Sequence, residues 1–361
     1  MKKKLIVAVS MLLMLTLLPS MSVLAEEKAL NLTLDQAIEL ALANNNQVEL
    51  NRLSIEKAKL KLEQSKYSAK KIPEEAVTNY DTALAKYIAP LSSQMELTLA
   101  EAQVNVSENV LKLQVESNYY ELLKKKTALD NAKNALTRAQ EQLRITKESY
   151  KAGVVAQNEV IGAEINVASK EAAVLTAQNN YNKAVMNLAQ ALGLGLDTQI
   201  VPATQFSFQP VTVDLEAEVA KVLENDVSVI GAKEGLKMAE ATFEQAKGYY
   251  TPNVFAYRDA EYNLEKAKVE LKKAQDEAEL KVRKAYLDLQ SAQKGYETLE
   301  KSLELARESY RVAKLRFEAG VATRLEMEQA ADKLSEQEAS LMETLYAYNL
   351  AAAQFRYGIF N

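Results

Sequence analysis

Histidine, cysteine and tryptophan are absent from the 361 residues, and glycine and proline are scarce at 10 and 6. The missing histidine and cysteine remove the commonest general base, the commonest nucleophilic thiol and two of the usual zinc ligands. Without cysteine no disulfide can form, so stability must come from packing. Scarce chain breakers favour long helices. No Gly-rich phosphate loop, metal-ligand cluster or serine nucleophile elbow stands in the sequence. The chain therefore does not read as an enzyme, and it implies no cofactor and no metal site. Carboxylate pairs such as Glu74-Glu75 read as solvated charge.

What is present is 48% hydrophobic and 26% charged residues with a net charge of −5, a balance that excludes a disordered or membrane-embedded chain and argues against nucleic acid as a partner. Lysine and glutamate are interspersed, as in Lys124, Lys125 and Lys126 near Asp130, or Glu265, Lys266, Lys268 and Glu270. Such interleaving reads as a solvated helix face. The first residues read differently. Lys2, Lys3 and Lys4 precede the apolar run Leu5 to Leu18, and Val23-Leu24-Ala25 supplies small residues for cleavage. Residues 1 to 25 are thus a secretory signal peptide, too short to span a bilayer, and the mature chain is exported. No cysteine follows the run, so no lipid anchor is expected. Cleavage removes three lysines and no acid, which makes the mature chain more negative still.

The chain is written twice. Tyr150-Lys151-Ala152-Gly153-Val154 recurs as Phe317-Glu318-Ala319-Gly320-Val321, and at that shift Glu159 falls on Glu326 and Tyr181 on Tyr348. Earlier, Leu34, Leu42, Asn44 and Val48 match Leu215, Leu223, Asn225 and Val229. The reading is repeat one over 26–200, a linker over 201–212, and repeat two over 213–361. The first copy carries about 14 more residues between these landmarks.

Each copy has a hydrophobic period of seven, the pattern of helices wound together with a left-handed twist. Val115, Leu122, Leu129, Leu136, Leu143 and Tyr150 form one series, and Val282, Leu289, Tyr296, Leu303, Tyr310 and Phe317 its counterpart. Beyond each Ala-Gly-Val the seam resumes, as Val160, Val167, Val174, Tyr181 and Leu188, then as Met327, Leu334, Leu341, Tyr348 and Phe355. Gly153 and Gly320 can take positive φ and reverse the chain. The fold class is all-α: two tandem repeats of long antiparallel coiled-coil hairpins, with tips near 152–156 and 319–323. No Gly or Pro lies between Pro90 and Gly153, enough for a rod near 90 Å at about 1.5 Å per residue. Gly295 interrupts the second rod and is expected to be tolerated. A short helix opens each copy, capped at Thr33 or Asp35 and at Asp214. The segment from Val201 to Val213, with Pro202, Pro210 and alternating Phe206 and Phe208, reads as a loop with one short strand.

The opening Leu32-Thr33-Leu34-Asp35-Gln36-Ala37-Ile38-Glu39-Leu40-Ala41 resembles the start of TolC-like outer-membrane efflux proteins. The tips Ala319-Gly320-Val321-Ala322-Thr323-Arg324-Leu325-Glu326 and, more loosely, Gly153-Val154-Val155-Ala156-Gln157-Asn158-Glu159 resemble the same family. The resemblance implies a homotrimeric helical tube in the cell envelope that exports small molecules or proteins with a periplasmic adaptor and an inner-membrane pump. It also implies adaptor contact at the tip residues Ala152, Gly153, Val154, Ala319, Gly320, Val321 and Thr323, and a pore entrance narrowed by the acids Glu159 and Glu326. A second acidic position of the family falls on Gln329 here, and Glu328 is turned from it by about 100° of helix rotation. The other reading of both acids is a first-turn charge set against the helix dipole.

The family inserts two strands per copy, and a spanning pair with its turn needs at least about 20 residues of alternating polarity. About 14 residues separate Gly248 from Tyr262, and about 24 lie from Ser68 to Leu91 with six charges among them. The barrel is therefore expected to be missing or vestigial. Tyr249, Tyr250, Tyr257 and Tyr262 near this end suit either a membrane-interface collar or simple packing. Two functions stay open: a conduit component, or a non-conducting coiled-coil spacer or adaptor-binding scaffold.

Overall fold

The computed structural model describes residues 30–204 and 207–360; the expected signal peptide over residues 1–25, Phe206 and Asn361 lie outside them. Repeat one runs β1 (Leu30–Leu32), α1 (Leu34–Asn44), α2 (Asn46–Lys70), α3 (Tyr80–Ala83), α4 (Ala89–Lys151) and α5 (Gln157–Ala191), ending in β2 (Ile200–Pro202). Repeat two runs α6 (Leu215–Asn225), α7 (Val227–Tyr249), α8 (Phe255–Glu318) and α9 (Arg324–Tyr357). The two long helices have 63 and 64 residues, each about 95 Å of rod.

Helix boundaries follow local chemistry. Thr33 caps α1 in a reciprocal box with Gln36, and Asp214 caps α6 through the Ala217 amide. One residue, Asn45, closes α1 and caps α2; Asp226 does the same between α6 and α7. Pro90 stands in the first turn of α4, where its missing N–H costs little. A wide π turn over Leu84–Ile88, in which the Ala89 amide donates to the Leu84 carbonyl, joins α3 to α4. Proline lacks the N–H that would bond four residues back, and its ring collides with the carbonyl there; the widened turn just before it relieves both.

The linker has its one short strand at its start. It lies at Ile200–Pro202, upstream of the phenylalanines, and pairs in parallel with β1, Leu30 opposite Ile200 and Leu32 opposite Pro202. Pro202 has no N–H to extend the ladder. Phe208 instead stacks on Tyr296 with centroids 4.2 Å apart and tilts against Tyr348. Among the described residues no strand stands between α2 and α4 or between α7 and α8. Tyr80 packs edge-on against Tyr249 and Tyr250, and Tyr257 against Phe243, while Tyr262 is exposed.

Each repeat has its own core where the middle of its long helix meets the end of its return helix. Val115, Tyr119, Leu122, Leu188 and Leu192 are buried in the first, and Val282, Leu289, Tyr348 and Phe355 in the second. Along each seam burial fades outward: Val115 and Leu122 are sealed, Leu136 and Leu143 half-buried, and Tyr150 exposed. The central helix is α4, which packs on α1, α2 and α5 of its own repeat and on α7 and α9 of the other.

Candidate functional site

The two hairpin tips are built alike. After α4 the Gly153 amide donates to the Tyr150 carbonyl and the Val154 amide to Ser149, with Gly153 at φ +75. After α8 the Gly320 amide donates to Phe317 and Val321 to Arg316, with Gly320 at φ +72. This is the paired 6→1 and 5→2 closure that satisfies the last carbonyls of a helix, and it needs a residue at ease with positive φ. Ala152 and Ala319 stand at the C-cap positions, both exposed. Val154 and Val321 project from the tips at 76% and 65% exposure.

The return helices start differently. Thr323 caps α9: its hydroxyl accepts from the Glu326 amide at 3.2 Å and the Glu326 carboxylate accepts from the Thr323 amide at 2.8 Å. At the matching place in repeat one the cap is Ala156, whose side chain makes no capping bond, and Glu159 is exposed. Glu326 is thus engaged in helix capping, and Glu159 has no such partner. The two acids stand on separate hairpins. Gln329 is exposed, and Glu328 pairs with Arg324 at 2.8 Å.

Between the hairpins runs a polar seam that periodicity alone did not show. At its inner end Glu116 is fully buried. Its carboxylate accepts from the Tyr120 hydroxyl at 2.6 Å, the Tyr357 hydroxyl at 3.0 Å and the Arg356 guanidinium at 3.2 Å. Burial, followed by the nearby Glu116 charge, pushes the Tyr357 phenol up to about 12 and the Tyr120 phenol well above its ordinary value. Farther out, the Tyr346 hydroxyl donates to the Ser117 carbonyl at 2.9 Å, and Tyr120 meets Tyr346 edge-on. Lys124 pairs with Glu343 at 2.6 Å, so the lysine cluster is not wholly a solvated face. That hydrogen bond holds the Glu343 carboxyl below its usual value and raises Lys124. Nearer the tips Arg138 and Asp332 are 4.0 Å apart, both exposed. Arg144 holds the Glu141 carboxyl low, with Arg324 adding to it from the other hairpin. The seam is tight at one end, where Glu116 is sealed, and open at the other. A charge at 116, beside Val115 in the apolar series, was its one signal in the sequence.

A second feature is a set of exposed apolar stripes at seven-residue spacing. On α8 these are Phe255, Tyr262 and Val269, then Leu280 and Leu287, then Leu305 and Val312. On α2 they are Leu53, Leu60 and Tyr67, and on α5 Ile161 and Leu175 with Ile165 and Met186 alongside. The inner faces of these helices are used within the chain, Ile55, Leu62 and Ala69 of α2 turning inward and Ala260, Ala267, Val282 and Leu289 of α8 likewise. Each helix therefore has two seams, one filled and one open. Among the described residues no three His, Cys, Asp or Glu are grouped to hold a metal, and no helix is long and apolar enough to cross a membrane.

The model of the family described as "Outer membrane efflux protein" matches twice, over residues 92–194 and 253–357, together more than half of the chain. The two matches fall on the two long hairpins. No curated protein matches the sequence. Among solved structures, the chain is similar to the outer membrane channel CmeC of Campylobacter jejuni, at 14% identity and a TM-score of 0.69, covering 90% of this chain and 85% of that one. It is also similar to the outer membrane protein VceC of Vibrio cholerae, at 16% identity and a TM-score of 0.68, covering 90% and 95%. The open state of the Neisseria gonorrhoeae MtrE channel matches at 17% identity and a TM-score of 0.55, covering 90% and 88%. At such identities these likenesses are of fold.

Proposed function

The chain belongs to the outer membrane efflux protein family, and from that premise we propose that it is the envelope conduit component of an export system, a homotrimer of helical hairpins surrounding a water-filled tube. The observation that carries this reading is that open apolar seams stand on α8 of one repeat and on α2 and α5 of the other. The α8 stripe belongs to a helix that packs mainly on α6, α7 and α9 of its own repeat, and the α2 and α5 stripes to helices held by α4. A surface on one flank that complements a different surface on the other makes a head-to-tail contact, which closes into a ring when the rotation allows.

In this reading the tips Ala152-Gly153-Val154 and Ala319-Gly320-Val321, with Thr323, meet a periplasmic adaptor. Exposed valines on a rigid reverse turn offer apolar contact at little entropic cost. An inner-membrane pump works through that adaptor to export small molecules or proteins. Glu159, with its carboxylate uncommitted, is the better placed of the two acids to narrow an entrance, while Glu326 serves its own helix first. The chain resides in the cell envelope on the outer-membrane side.

The absence of strands between α2 and α4 and between α7 and α8 among the described residues favours a second reading, a non-conducting spacer or adaptor-binding scaffold. One experiment separates the two. Purified oligomer in planar bilayers, with and without its adaptor, conducts if it is a conduit and stays silent if it is a spacer. Cross-linking that returns a stable monomer overturns the ring itself.

A further inference from the structure

We propose that a groove at the inner end of repeat one is a binding site for an uncharged sugar bearing hydroxyl and acetamide groups. The groove, about 690 Å³, lies between the α1–α2 corner, α4 and the end of α5. Six carboxamides line it, Asn45, Gln47, Gln114, Asn118, Asn187 and Gln190, and no ionised side chain does. Leu111 and Ala191 give it an apolar floor. The volume suits a small ligand of one or two rings.

Part of the lining is fixed in advance. Asn45 donates from Nδ2 to the Ala191 carbonyl at 2.9 Å while its Oδ1 accepts from the Gln47 amide at 2.8 Å. Gln47 in turn donates from Nε2 to Oδ1 of Asn51 at 3.0 Å. Asn51 is only 8% exposed, yet its Nδ2 has no acceptor among the described residues, a spare buried donor one turn from the groove. A carboxamide presents a donor pair and an acceptor pair without charge, which matches vicinal hydroxyls and the N–H and C=O of an acetamide. An ionic ligand would lose hydration here with no counter-charge to replace it.

The duplication supplies an internal comparison. The corresponding positions of repeat two hold Asp226, Ser228, Lys281, Ala285, Gln354 and Tyr357, so a single carboxamide remains. A second groove, about 810 Å³, lies between α4 of repeat one and repeat two and is lined by charges that include Glu108, Lys112, Glu218, Lys221, Asp226 and Lys281. Phe360 of the chain's own tail reaches it and packs on Phe355 at 5.0 Å. At the six matched positions repeat two has two charges, Asp226 and Lys281, and one carboxamide, where repeat one has six carboxamides.

The test titrates the full mature chain, in its own oligomeric state, with di-N-acetylchitobiose, cellobiose and the de-acetylated cationic chitobiose, followed by calorimetry. Saturable binding of the acetamido disaccharide is expected, with the other two weaker by about tenfold or more, near 1.4 kcal/mol. Gln114→Lys, which installs the residue of repeat two, and the exposed Asn187→Ala should each weaken it by at least about tenfold. Lys281→Gln in the other groove should leave it unchanged. Melting curves identify a variant that fails to fold, and Asn187→Ala carries the test if Gln114→Lys does. No saturable binding up to about 10 mM, equal affinity for cellobiose, or unchanged affinity in the folded groove variants overturns the proposal. None of these results bears on conductance, so the two readings fail separately.

Discussion

Glu116 of α4 and Arg356 at the end of α9 meet with one guanidinium nitrogen 3.2 Å from both carboxylate oxygens, and through them the last turn of repeat two is tied to the middle of repeat one. Arg356 remains about half exposed, whereas Glu116 is sealed. The bond therefore fixes where the two hairpins cross. Removing the carboxylate leaves the hydroxyls of Tyr120 and Tyr357 without their acceptor. Glu116→Ala should cost about 2 to 4 kcal/mol in denaturant unfolding, less than a fully buried pair because Arg356 can turn to water. Glu116→Gln should cost less than half of that. A loss below about 0.5 kcal/mol for the alanine variant contradicts this account.

The same cluster sets an alkaline limit. A phenol whose folded value is raised binds its proton more tightly in the native chain, so its contribution is complete below the ordinary phenol value near 10 and is lost as pH rises through the folded value. With Tyr357 pushed up to about 12 and Tyr120 raised as well, stability should fall between about pH 10 and 12. Phenolate absorbance should show these tyrosines titrating after the exposed ones. Unfolding curves that are flat across that interval argue against the buried cluster.

Two glycines should respond in opposite directions to alanine. Gly193 has φ +68, and a Cβ there would stand 2.5 Å from the Asn44 carbonyl oxygen, a backbone atom that cannot step aside. Gly193→Ala should destabilise repeat one by at least about 2 kcal/mol. Gly295 sits inside α8 with only the Thr344 methyl at 3.7 Å from such a Cβ. Gly295→Ala should stabilise by about 0.5 to 1 kcal/mol, read as a rise in melting temperature.

The return helices offer a matched pair at their caps. Thr323→Ala removes the hydroxyl half of the box around Glu326 and should cost about 1 kcal/mol locally. Ala156→Thr should give repeat one the box it lacks, with Glu159 in the Glu326 role, and stabilise the first turn of α5 by a similar amount. Hydrogen exchange at the amides of 157–160 and 324–327 reads both changes. If exchange neither quickens at 324–327 in Thr323→Ala nor slows at 157–160 in Ala156→Thr, the capping geometry is not what holds these turns.

Repetition and period made the hairpins, the tips and the short opening helices legible, because seven-residue spacing and a glycine after a long apolar series leave few alternatives. Thr33 and Asp214 were readable as caps for the same local reason. The β1–β2 pair was not, since Leu30–Leu32 offers too few residues for alternation to register and its partner is 170 positions away. Lys124 read as solvated because nothing in its neighbourhood names Glu343 as its partner. The open seams on α2, α5 and α8 escaped notice because a second apolar series on one helix is masked by the first. The six carboxamides come together from three separate stretches of chain, which only folding places side by side.

The β1–β2 pair closes the first copy by a means the second does not use. Leu30–Leu32 lies against Ile200–Pro202, and the Tyr119 hydroxyl bridges them, donating to the Leu32 carbonyl and accepting from the Thr204 amide. The earlier copy thus fastens its own beginning to its own end, and it holds everything needed to do so once residue 204 has emerged. The later copy has no paired strands among the described residues; there the Tyr348 hydroxyl of its last helix holds the chain just before α6, donating to the Gln209 carbonyl and accepting from the Val211 amide, and Arg356 leans on Glu116 of the first copy. The first copy thus needs nothing from the second to join its two ends, whereas the second draws one of its own contacts from the first.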